Sequence, residues 1–141
     1  MEKVVGVEIP ALGVLNGRDC IYIDNVTQDN YDNLEFKGEI NGYLADKIKD
    51  EKWIPYTLIF HRVIAYFSCE LDTYENIDAY GHLDYTDFNI VENSQWLANL
   101  PIRKDFDKSL YKHYQLFTYD IVYNIIAVSF DISANLPGTK F

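Results

Sequence analysis

The run Ile121-Val122-Tyr123-Asn124-Ile125-Ile126-Ala127-Val128-Ser129-Phe130-Asp131-Ile132 constrains the fold more than any other part of the chain. Val122, Ile126, Val128, Phe130 and Ile132 fall largely on one parity, and Ile121, Tyr123 and Ile125 fill the other, with Asn124 breaking the row. A strand that is apolar on both sides belongs in the middle of a sheet or between two layers. A second signature is cleaner. Leu34, Phe36 and Ile40 alternate with Glu35, Lys37 and Glu39, the pattern of a strand wet on one face only.

Other segments read the same way. Lys3 to Ile9 is apolar and stops at Pro10, Cys20 to Val26 is a second strand, Asn41-Gly42 is a turn signal for closing a hairpin, and a helical turn is expected within 43–52. Tyr56 to Leu71 is too long for one straight strand, so a bend is expected at His61-Arg62. Tyr85 to Glu92 and His113 to Tyr119 complete the set. Asn93 or Ser94 caps a short helix, Gln95 to Leu100, which turns Trp96, Leu97 and Leu100 inward and ends at Pro101.

Seven or so strands with one short helix near 94–100 predict a mainly β fold (α+β with little helix at most). The expected architecture is a two-layer antiparallel β-sandwich, with a curved half-barrel as the rival. The expected organisation is a single β-rich domain over 1–134, with a loose tail over 135–141.

Composition narrows function mainly by exclusion. The 141 residues are 48% hydrophobic and 16% aromatic, which excludes a disordered chain. A formal charge of -10 excludes a general binder of nucleic-acid backbones. No basic n-region leads into an apolar core, and the longest apolar run, Val63 to Phe67, is far short of the ~20 residues that span a bilayer. Cys20 and Cys69 read as buried thiols of a reducing compartment, and a bond between them requires neighbouring strands. The expected location is the cytoplasm, with no membrane partner.

The charge is unevenly distributed. Between Arg62 and Arg103 there is no lysine or arginine, yet Glu70, Asp72, Glu75, Asp78, Asp84, Asp87 and Glu92 all occur there. The segment reads either as an exposed loop and hairpin solvated by its acids, or as a surface for a basic partner. In the second reading Asp72, Glu75, Asp78, Asp84 and Asp87 steer association, while Tyr74, Tyr80 and Tyr85 provide rigid contact area. A calcium loop over Asp72, Glu75 and Asp78 lacks its glycine, and no zinc-type spacing of His and Cys occurs, so no metal is expected.

Catalytic signatures are thin. There is no Gly-x-Ser-x-Gly elbow and no phosphate-cradling glycine loop, so no cofactor is expected. His82-Leu83-Asp84 places an imidazole and a carboxylate on one side of a strand, and Glu70 and Asp72 share a strand face in the same sense. The leading expectation is therefore a non-catalytic acidic protein-binding domain, of the inhibitor or immunity type, acting on a basic partner. The competing class is a small enzyme or ligand-binding β domain whose site is assembled from His61, His82, His113 and Cys69.

Overall fold

The alternation at 34–40 becomes a strand with one face in the core: β3 (Leu34–Asn41) buries Leu34, Phe36, Gly38 and Ile40, while Lys37 is exposed and Glu35 and Glu39 are half-buried. This computed structural model describes residues 1–30, 32–48, 50, 52–77 and 86–135, without the side chains of 75–77. β3 lies between β2 (Ile21–Gln28) and β4 (Trp53–His61), and β9 (Ser129–Ala134) completes a four-stranded sheet in the order β2-β3-β4-β9. The second sheet runs β1-β6-β7-β8-β5, from β1 (Lys3–Gly6), β6 (Phe88–Glu92), β7 (Lys112–Phe117), β8 (Ile121–Ala127) and β5 (Ala65–Glu70). All the strand pairs are antiparallel, and the two sheets pack face to face as a sandwich.

Two apolar runs that read as single segments each divide between the sheets. β4 ends at His61, Arg62 takes φ 57°, and β5 restarts in the other layer, so the predicted bend is a crossover. β8 and β9 divide in the same way at Val128, whose N–H donates to the His61 carbonyl at 3.1 Å, tying the two crossovers together. The single parity row expected for 122–132 is thereby corrected. Val122 packs with Leu71 and Phe117 on the outer side of the five-stranded sheet, whereas Phe130 and Ile132 pack on the core between the sheets.

Aromatic rings from both layers fill that core. Phe36 meets Tyr123 edge-on at 4.9 Å, and Phe88 meets Phe130 in the same way at 4.9 Å. Such pairs add about 0.5–1.5 kcal/mol beyond the area they bury. The connection from β1 to β2 closes one end of the sandwich by burying Ile9, Leu12, Leu15 and Cys20.

Two helices follow strands of the five-stranded sheet. α2 (Gln95–Asn99) is capped by Ser94, whose hydroxyl accepts the Leu97 N–H, but Trp96, Leu97 and Leu100 are half-buried instead of facing fully inward. α1 (Leu71–Ile77) stands where the acidic segment was expected to be loop and hairpin. Its start is fixed by Glu70, which accepts the Thr73 N–H at 2.8 Å and the Thr73 hydroxyl at 2.9 Å. Glu70 closes a strand and Asp72 opens a helix, so the two do not share a strand face. The helical turn expected within 43–52 is a single 3-10 turn at Gly42–Leu44, capped by Asn41.

Candidate functional site

The residues predicted to meet a partner have separate fates. Asp72 is exposed on α1, with Arg18 Nη1 3.8 Å from its Oδ1. Tyr74 is half-buried and turned toward the sheet: its hydroxyl accepts from Gln115 Nε2 at 3.0 Å, and its ring packs edge-on against Phe117. Glu75 belongs to α1, but its side chain lies outside the described residues, as do Asp78, Tyr80, His82, Asp84 and Tyr85. Asp87 is a correction. It is fully buried, its N–H bonded to the Leu15 carbonyl under the β1–β2 connection, and no partner reaches it from solvent.

Charge and aromatic surface meet elsewhere, along the free edge of β2. The Tyr119 N–H donates to the Ile21 carbonyl at 2.9 Å, holding the β7–β8 turn against the start of β2. At the other end Tyr66 donates its hydroxyl to Gln28 at 3.3 Å. Between these ties the two sheets separate into a slot of about 300 Å³, lined among others by Tyr22, Asp24, Val26, Tyr119, Asp120 and Tyr123. A β-bulge projects Asp24 from the β2–β3 ladder, since Ile23 pairs with Gly38 and Asn25 already with Lys37.

Beside the slot the rings form a ladder with a cation at each end. Arg18 lies 5.4 Å from the Tyr119 centroid, Tyr119 stacks on Tyr22 at 5.3 Å and 19°, Tyr22 meets Trp53 edge-on at 5.3 Å, and Lys52 lies 5.2 Å from the Trp53 ring. Arg18 also donates from Nε to the Tyr119 carbonyl at 3.0 Å and approaches Asp120 at 3.5 Å. Asp19, Asp24, Asp72 and Asp120 are all exposed, so four carboxylates outnumber the two cations here. Partial burial, then the neighbouring Asp19 carboxylate, raise the Tyr22 phenol above its ordinary value. Exposed ion pairs of this kind are screened by water and hold Arg18 only weakly.

Among the described residues, His61, His113 and Cys69 do not converge. His61 closes β4 and bonds to Asn33 at 3.2 Å and Asp131 at 2.7 Å. Cys69 is half-buried on β5, opposite Val122, and Cys20 is fully buried just before β2; both thiols are free, and β5 and β2 belong to different sheets. His113 lies in a buried network. Its Nδ1 is 2.8 Å from Ser94 Oγ and its Nε2 is 2.7 Å from Asn124 Oδ1. Burial lowers its pKa from the ordinary value and the Asn124 bond opposes that shift, so the ring is neutral, donating from Nε2 and accepting the Ser94 hydroxyl at Nδ1. Both ring nitrogens are thus used, and Ser94 Oγ also serves as the cap of α2. In register beside this network, Asn89, Gln115 and Asn124 run as a buried amide row across β6, β7 and β8.

A last buried group is the pair Asp87 and Cys20. The thiol donates at 3.8 Å to the Asn41 carbonyl, and among the described residues neither Asp87 oxygen has a hydrogen-bond partner within ordinary reach. Burial pushes the Asp87 carboxyl up to about 8, slightly offset by the thiol, and burial followed by the nearby carboxyl raises Cys20 well above the usual thiol range. Cys20 is therefore an inert thiol.

Residue patterning did not point to Tyr22, Trp53, Tyr119, Asp24 or Asp120 as a group; the only local sign is that Tyr-Ile-Asp at 22–24 and Tyr-Asp at 119–120 each pair a ring with an acid. Among the described residues, no helix is long and apolar enough to cross a membrane. Comparison with protein-family models, with curated proteins and with solved structures gave no match.

Proposed function

We propose that this chain is a non-catalytic acidic protein-binding domain that neutralises a basic partner, in the manner of an inhibitor or immunity protein directed at a cationic enzyme such as a nuclease toxin. The observation that carries the reading is the ring ladder of Tyr22, Trp53 and Tyr119 beside the edge strand β2, with the exposed carboxylates of Asp24, Asp72 and Asp120 around it. Aromatic anchors of low side-chain entropy concentrate binding energy, while surplus carboxylates accelerate encounter with a cationic surface. Asp72 belongs both to this surface and to the acidic segment, whose Glu75, Asp78, Asp84, Tyr80 and Tyr85 are proposed as partner contacts from the sequence alone. Two free thiols fit a reducing compartment, and we assign the protein to the cytoplasm on that ground.

The test is the association rate with a panel of cationic nucleases, measured by stopped flow at low and physiological salt. Replacing Asp24, Asp72 and Asp120 together by Asn should slow association about tenfold at low salt and flatten its salt dependence. Rates that are the same for wild type and triple variant at low salt would remove the proposal.

A further inference from the structure

The reading above leaves open which basic group the slot takes, and we propose, resting on that reading, that it recognises the guanidinium of a partner arginine rather than positive charge in general. Arg18 is the chain's own example of the chemistry. Its guanidinium lies over the Tyr119 ring, donates to the Tyr119 carbonyl and approaches both Asp120 and Asp72. A planar, weakly hydrated guanidinium stacks on phenol rings and forks onto a carboxylate, whereas an ammonium is a compact, strongly hydrated charge that does neither as well.

The slot has the parts for a second such group. Asp24 is projected into it by the bulge and has no cation partner among the described residues. Asp120 and Tyr119 line the same slot, together with half-buried Tyr22 and buried Tyr123. A volume of about 300 Å³ holds a side chain and not a folded element. Strand addition along β2 is disfavoured by the same bulge and its charge, devices that blunt a sheet edge. The occupant is therefore a side chain entering between Asp24 and Asp120, with Arg18 as its internal competitor for Asp120 and Tyr119.

Hexa-arginine and hexa-lysine peptides carry equal charge and separate the two readings. Calorimetric titration should show hexa-arginine binding about fivefold or more tighter than hexa-lysine. Amide shift changes should centre on 22–26 and 118–123. The double variant Asp24→Asn with Asp120→Asn, checked for an unchanged melting temperature, should abolish the preference, and Arg18→Gln should strengthen hexa-arginine binding several-fold. Equal affinity for the two peptides overturns arginine recognition while leaving the acidic-surface reading standing. Failure of both peptides to bind overturns both readings. A shift map centred away from the slot, or an arginine preference that survives in the double variant, also overturns the inference.

Discussion

The ring of Tyr22 stacks on that of Tyr119 at 5.3 Å with 19° between their planes, joining the free edge of one sheet to a turn of the other. The backbone bond from Tyr119 to Ile21 reinforces this tie, and the slot opens directly beyond it. A double-mutant cycle of Tyr22→Ala and Tyr119→Ala, read by urea denaturation, should give a coupling of about 1 kcal/mol. Exchange of the Tyr119 amide should quicken in either variant. Strict additivity would mean that the rings lie together without holding each other.

Asp87 makes the protein sensitive to high pH. Its carboxyl is fully buried, and burial raises it from 3.8 to about 8. Below pH ~4 both folded and unfolded chains hold the proton, and there is no penalty. As pH rises from ~4 toward ~8, the unfolded chain releases a proton that the folded chain keeps, and stability falls by at most ~1.4 kcal/mol per unit. Above ~8 the folded carboxyl ionises as well and the loss levels off. Asp87→Asn should thus raise the urea midpoint at pH ~7 and ~9 while barely changing it at pH ~4. Identical midpoints for the variant and wild type across that range would show that the carboxyl is solvated.

His113 acts in the opposite direction. Burial depresses its pKa below 6.5, so the stability linked to its neutral form is complete above 6.5 and is lost as pH falls through the folded value. An NMR titration of its ring protons should show a midpoint under 6.5, and a midpoint at or above that value contradicts the buried network. Ser94→Ala removes both the α2 cap and the partner of Nδ1, and should cost about 1–2 kcal/mol. With Asp87 weakening the fold at high pH and His113 at low pH, these two groups together favour maximum stability in between.

What was legible along the chain is what local patterning encodes. β3 shows its buried face residue by residue, and Ser94 announces α2, because both depend on neighbours within a few positions. The sandwich followed from strand number and spacing. The crossovers at Arg62 and Val128 were not legible as changes of sheet, since a run that is apolar on both parities looks the same whether it stays in one layer or passes to the next. α1 was missed because Glu70 reads as a solvated acid until its carboxylate is seen capping Thr73. Asp87 was misplaced for a related reason: charge marks a residue for the surface, and only the β1–β2 connection folding over it reveals the burial. The slot was invisible because Arg18, Tyr22, Trp53 and Tyr119 meet only through the pairing of distant segments.

The geometry that presents Asp24 depends on the absence of a side chain at Gly38. The bulge brings the β2 backbone so near that a Cβ on Gly38 would overlap the Tyr22 carbonyl oxygen and lie 2.9 Å from its carbon and 3.0 Å from Ile23 Cα. These are backbone atoms in a paired strand, so relief requires β2 to move away from β3 instead of a side chain to rotate. Tyr22 is also the inner ring of the ladder, and its carbonyl accepts the Tyr56 hydroxyl at 3.1 Å, so a displaced β2 would strain that bond and the stack on Tyr119 together. Gly38→Ala should therefore lower stability by roughly 2–4 kcal/mol, with the largest amide shift changes at 21–25 and at Tyr119. A variant as stable as wild type, with shifts confined to residues next to 38, would mean that β2 and β3 are further apart at the bulge and that Asp24 owes its position to something else.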